Sequence, residues 1–334
     1  MMKEKQDNVL QEDNVNADGS LQTIPDKGQY QGKAGRELTR KQKSLWFYCL
    51  MMAIPLIQFF LMYVCVNLNS ILLSFKEYTP TGDYIWLTQP FTNFEEVFSQ
   101  LKSEQFATSI KNSLTVFGCT LLINLPLSLF FSYYIYKGFA GSKAFRVALY
   151  LPNIVSSIVM VTIFYYIMDD AIPLIGETLF DKEIDPLISN PDSAVPSLIA
   201  FSVLFSFGSI TMVFASSMSS INESVMEAAT LDGCNAFMEF IYIIFPLTFN
   251  VIKLQLLAAL VGIFTNQLNL YTFFDINAYS KTWTIGYYLY RGTLAGGPPE
   301  YPFYAAMWLI LTLVAVPIIL SIRKLLDRFD PYNA

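Results

Sequence analysis

Six apolar runs punctuate the chain, near residues 45–66, 114–136, 147–168, 195–217, 247–270 and 303–322. About 20 residues carry a helix across a hydrocarbon core, and each run is long enough. Composition agrees with this reading. Hydrophobic residues make up 54% of the chain and charged residues only 14%, where soluble domains average roughly 45–50% and about 25%. The 28 phenylalanines and 20 tyrosines suit lipid-facing and interfacial positions. The expected fold is all-α, a polytopic membrane protein with six transmembrane helices. Asn124 and Pro126 interrupt the second run and are expected to face protein rather than lipid.

Orientation follows the Lys and Arg bias of the short flanks. Arg36, Arg40, Lys41 and Lys43 precede the first run, Lys137, Lys143 and Arg146 follow the second, and Arg323, Lys324 and Arg328 follow the last. An even number of spans then puts both termini in the cytoplasm and the segments 169–194 and 271–301 outside. The loop at 219–246 falls inside, although it holds neither Lys nor Arg. Residues 1–40 are polar, of mixed charge, and have no apolar stretch near the start. A disordered cytoplasmic tail without a cleavable signal is expected there, ahead of a transmembrane domain over 41–334. Lys253 sits about two turns into the fifth span, where a charge is costly, and is expected to snorkel to the cytoplasmic surface.

Several function classes are disfavoured. The net charge of −6 gives nucleic acid nothing to bind, and histidine is absent, which removes the commonest general base and metal ligand. The cysteines at Cys49, Cys65, Cys119 and Cys234 form no CxxC and read as buried small residues. No catalytic or metal site is expected.

The loop 219–246 has its own local logic. Ser220-x-x-Glu223 fits a capping box, and 221–232 can then run as a helix. Gly233 stands where a left-handed residue would close it. Asn235 can cap a second helix, with Glu239 near its positive end. Pro246 marks a bend or stop. Glu223 and Glu227 are four apart and share a face open to Arg or Lys of a partner. Ala228 and Ala229 are small enough for another backbone to approach. The plainer alternative is an amphipathic loop helix packed on its own protein.

The spacing of Glu227-Ala228-Ala229, Gly233, Ile243 and Pro246 resembles the EAA loop of ATP-binding-cassette importer permeases: EAA, three residues, G, nine residues, I-x-L-P. Phe245 replaces the usual Leu. Asn93-Phe94, Asn112-Ser113, and the run Arg146, Leu151, Pro152, Ser156 are similar to further phrases of the carbohydrate group. The resemblance spans about 45–325 and implies a type I importer permease fold. It implies a cytoplasmic coupling helix, with Glu223, Glu227, Ala228, Ala229, Leu231, Asp232, Gly233 and Pro246 as the contact to an ATPase. The implied partners are ABC ATPase subunits that bind ATP and Mg, a second homologous permease, an extracellular substrate-binding protein and membrane lipid. The implied location is the bacterial plasma membrane. The chain has no GxxxxGK[ST] phosphate loop, so ATP hydrolysis would lie in the partners and no cofactor in this chain.

Neutral amides, hydroxyls and rings near the spans would suit a sugar. Asn153, Ser157, Tyr165, Asn266, Gln267, Asn269 and Tyr271 are the candidates for the substrate pathway. Singly, such groups commonly glue helices together. Thr282, Thr284, Ile285 and Tyr290 match a late phrase of the carbohydrate permeases, but the Gly-Gly-Pro expected soon after the fifth span occurs only at Gly296 to Pro298. That departure bears on substrate class. An ion-coupled secondary carrier is the main alternative. Proton-driven carriers need intramembrane carboxylates or histidine, and the apolar runs hold essentially none. A membrane-embedded enzyme or a non-transporting sensor that kept the loop are further possibilities.

Overall fold

The computed structural model describes residues 39–330. The expected tail, apart from Thr39 and Arg40, lies outside the described residues. The chain divides into two units, Met1–Tyr63 and Val64–Ala334. In the first, α1 (Arg40–Phe59) opens with a capping box: Gln42 N donates to Thr39 Oγ1 (3.4 Å) and Thr39 N donates to Gln42 Oε1 (2.9 Å).

The second unit begins with α2 (Val66–Leu73), a two-stranded antiparallel hairpin of β1 (Lys76–Tyr78) and β2 (Tyr84–Trp86), and α3 (Thr92–Gln100). The next crossing is continuous over Glu104–Tyr136, as α4 (Glu104–Cys119), a π-helical stretch Thr120–Asn124, and α5 (Leu125–Tyr136). Asn124 is fully buried and donates to Ser206 Oγ (2.7 Å), as expected of a polar residue that faces protein. Pro126, expected to do the same, is exposed. Two residues of helix turn a side chain by about 200°, so the pair cannot share a face.

The third apolar run is divided. α6 (Ser142–Ile154) ends where Val155 turns extended, with ψ 144°. The crossing is Ser157–Phe180, formed by α7 (Ser157–Tyr166), a π-helical stretch Ile167–Ala171 and α8 (Ile172–Phe180). This corrects both the expected span 147–168 and the expected loop from 169. Helix continues there because Asp169, buried within it, is satisfied. It accepts from Ile188 N (2.6 Å), Ser189 N (3.0 Å) and Ser189 Oγ. The spans are therefore not free of carboxylates. α9 (Ala194–Ser219) packs on α5 and α6. A Cβ on Gly208 would overlap the Leu149 carbonyl oxygen, so glycine permits the α6–α9 contact.

α10 (Glu223–Leu231), α11 (Ala236–Glu239), a π-helical stretch Phe240–Ile244, α12 (Phe245–Leu247) and α13 (Phe249–Thr265) follow. Ala236–Leu247 and Phe249–Thr265 meet at a 68° bend. The fifth span ends at Thr265 rather than 270, because Asn266 is extended (ψ 125°). Beyond it come α14 (Leu270–Phe274), α15 (Ile285–Gly296) and α16 (Tyr301–Arg328). Among the described residues, five helical stretches are long and apolar enough to cross a membrane, and six if the bent pair counts as one. This agrees with the all-α polytopic expectation.

The segment 271–301, expected to be a loop, holds a buried helix instead. Tyr287 and Leu289 of α15 are fully buried, and Ile285 and Leu289 share a core with Val97, Phe106 and Met307. A second core, of Leu129, Phe214, Met218, Ile244 and Ile252, joins α5 and α9 to the residues around the bend.

Candidate functional site

The 220–248 loop is shaped by short-range hydrogen bonds. The expected Ser220–Glu223 capping box does not form. Ser220 ends α9, and its hydroxyl donates to Ser217 O (2.7 Å). Asn222 caps α10 instead, accepting from Ser224 N (3.1 Å), and the helix starts at Glu223 rather than 221. Its end is as expected. Gly233 is left-handed (φ 79°), Cys234 N donates to Ala229 O (3.0 Å) and Gly233 N to Thr230 O (3.1 Å). These two bonds make a Schellman closure. Asn235 caps α11 through Met238 N (2.9 Å). Pro246 stands two residues before Thr248, at the bend.

Glu223 and Glu227 are exposed, and neither side chain has a hydrogen bond or ion pair with another described residue. Asp232 and Ala228 are exposed too, and Leu231 is 89% exposed. Ala229 is buried, so only Ala228 of the alanine pair is open to another backbone. Phe237 and Tyr242 add exposed apolar surface at 71% and 72%. Glu239 stands in the first turn of α11, as expected. It is buried, and Lys137 Nζ lies 2.7 Å from its carboxylate.

A cavity of about 190 Å³ opens between α4, α9 and α13. Its polar lining is Thr120, Ser202, Ser206, Gln255 and Asn266. Of the candidate pathway residues, only Asn266 is among them. Tyr165 lines a separate depression of about 320 Å³ with Ser189 and Tyr279, and its hydroxyl lies 3.0 Å from Ser189 Oγ. Asn153 and Ser157 are exposed and line neither. Asn269 is left-handed (φ 54°) and starts α14, and Gln267 O accepts from Leu270 N (2.9 Å). Tyr271 packs edge-on against Tyr290 (5.2 Å). Its phenol is held above the ordinary value, first by a hydrogen bond with Asp275 and then by that carboxylate's charge. The candidates thus fall in different places. Sequence reading passed over Ser202 and Ser206, whose spacing of four on a helix puts them on one face. It also passed over Thr120 and Gln255, whose only signal was polarity inside an apolar run.

Lys253, expected to snorkel toward the cytoplasmic surface, is held by Asp327 (2.8 Å) and Asp330 (3.1 Å), at and just beyond the end of α16.

Residues 124–332 match the family described as the binding-protein-dependent transport system inner membrane component. The chain belongs to this family. This permease is similar to a probable ABC transporter permease protein, YesP, of Bacillus subtilis. The two are 27% identical over 78% of this chain and 85% of the relative. The maltodextrin permease MalC of Streptococcus pneumoniae is 26% identical over 57% of this chain and 47% of its own. A solved bacterial alginate ABC transporter, in complex with an alginate pentasaccharide-bound periplasmic protein, has a chain of the same fold. Its TM-score is 0.69 at 23% identity, over 87% of this permease and 98% of that chain.

Proposed function

We propose that this permease forms half of the translocation pathway of an ATP-driven importer for a carbohydrate, delivered by an extracellular binding protein. The observation that carries the reading is α10, which presents Glu223 and Glu227 unpaired beside exposed Leu231 and ends in the Gly233 turn. Carboxylates left without partners on a short exposed helix suit the Arg and Lys of a docked protein. That protein is an ABC ATPase, which binds ATP and Mg and performs the hydrolysis; this chain contributes no catalysis and binds no cofactor itself. Glu223, Glu227, Ala228, Leu231, Asp232 and Gly233 make the contact, and Pro246 sets the bend behind it. A second, homologous permease completes the pathway. The loop and both termini lie on the cytoplasmic side of the bacterial plasma membrane.

The cavity supports the substrate class. Its hydroxyls and amides are neutral, as a sugar requires, and relatives include a maltodextrin permease. Asn266 is the pathway residue we retain. An ion-coupled carrier gains no support from Asp169, whose oxygens are taken up by donors of the 188–189 turn. The test is purification of the tagged chain in mild detergent. The expected result is co-purification of an ATPase and a second permease, with sugar-loaded binding protein stimulating ATP hydrolysis. A stable, monodisperse chain recovered alone would overturn the reading.

A further inference from the structure

Of the carboxylates at Glu223, Glu227, Asp232 and Glu239, only Glu239 is buried. Lys137, at the end of α5, holds it at 2.7 Å, and the Tyr133 hydroxyl is shared between Glu239 Oε1 (3.2 Å) and Ala236 O (3.1 Å). The Tyr133 ring also packs on Phe240, with centroids 5.2 Å apart. The segment just after the Gly233 turn is therefore clamped to α5 by a charge pair and a ring. The covalent route onward changes direction, since α12 meets α13 at the 68° bend. The crossing that ends in α5 is unbroken to Thr120, which lines the cavity. Lys137 lies seventeen positions after Thr120, a rod of about 25 Å.

We propose that Lys137 and Glu239, backed by Tyr133, form a strut that carries displacement of the 220–248 loop into the second span and so to the cavity wall. Both are positioning residues, and the inference rests on reading that loop as the ATPase contact. The pair joins a buried carboxylate to a lysine whose side chain is 30% exposed, and the contact resists separation because a buried charge left without its partner is costly.

The experiment uses the whole importer in proteoliposomes and measures substrate taken up per ATP hydrolysed. Glu239→Gln keeps size and the hydrogen bond with Tyr133 but removes the charge. We expect it to assemble with the ATPase, to hydrolyse ATP, and to lose about tenfold in uptake per ATP, within the range of ordinary coupling energies. Lys137→Glu should do the same, and the exchange Lys137→Glu with Glu239→Lys should restore coupling. In a background with Cys49, Cys65, Cys119 and Cys234 replaced, Lys137→Cys and Glu239→Cys should be uncoupled until joined by a bifunctional thiol cross-linker, which should restore uptake. A purely structural pair would lose assembly and ATP hydrolysis together with uptake, leaving uptake per ATP unchanged. Unchanged coupling in Glu239→Gln, or a cross-link that blocks uptake, would overturn the strut. Failure of the wild-type chain to recruit an ATPase would instead overturn the loop's assigned role.

Discussion

The 220–248 loop and the 266–300 segment are of similar length, and they are held in opposite ways. The first consists of short helices with exposed charge and apolar surface, tied down chiefly at Glu239 and Tyr133. The second is pinned by side-chain donors aimed at backbone carbonyls, Arg291 to Ile276 O (2.7 Å) among them. Asn112 donates to Lys281 O (2.8 Å) and Trp283 O (2.9 Å), Thr284 to Asn266 O (2.7 Å), and Tyr287 to Asp275 O (2.7 Å). Regions that must move or dock are drawn from the less stable parts of a protein, and rigid frames from the more stable. The contrast teaches that this permease fixes one segment along its length, and ties the other at its C-terminal part while leaving α10 exposed to meet a partner.

Breaking the contrast on the loop side should have the largest effect. Glu227→Lys is expected to abolish uptake while leaving the protein folded in the membrane, since stability at an exposed site should change by under ~0.5 kcal/mol. Uptake assays beside thermal unfolding in detergent check both halves. On the other side, Asn112→Ala should destabilise by about 1–3 kcal/mol, because two partly buried carbonyls lose their donor. Its uptake should fall only in proportion to folded protein, and a selective loss of uptake would erase the distinction. Gly233→Val is a smaller perturbation. Nothing lies within 4 Å of an added Cβ, so its cost is conformational, about 1–3 kcal/mol for a left-handed residue. ATP hydrolysis without uptake is the expected result. The smallest contrast tests the cap. Asn222→Ala should cost about 1 kcal/mol, and Ser220→Ala under ~0.5 kcal/mol. Equal losses would mean that the capping bond is misplaced.

Local rules worked where the partners lie close in the chain. The left-handed turn at Gly233, the Asn235 cap and the break behind Pro246 each need only a few neighbouring residues. Ser220 was misjudged because two hydroxyl-bearing or amide residues compete within three positions, and Asn222 won while Ser220 bonded backward to α9. The candidate pathway was read poorly for a different reason. Polar residues near span ends can line a cavity, cap a helix or turn the backbone, and only packing separates Asn266 from Asn269.

By itself the sequence determined the membrane class, the number of apolar crossings and the form of the exposed loop, since length, hydropathy and turn chemistry are local properties. Tertiary structure alone decided the break at Val155, the burial of α15 and the pairing of Lys137 with Glu239, 102 residues away. It also decided that Asp327 and Asp330 are the groups Lys253 meets. A charge in an apolar run announces that a partner is needed, because burial without one is costly. Which partner answers depends on how the helices come together.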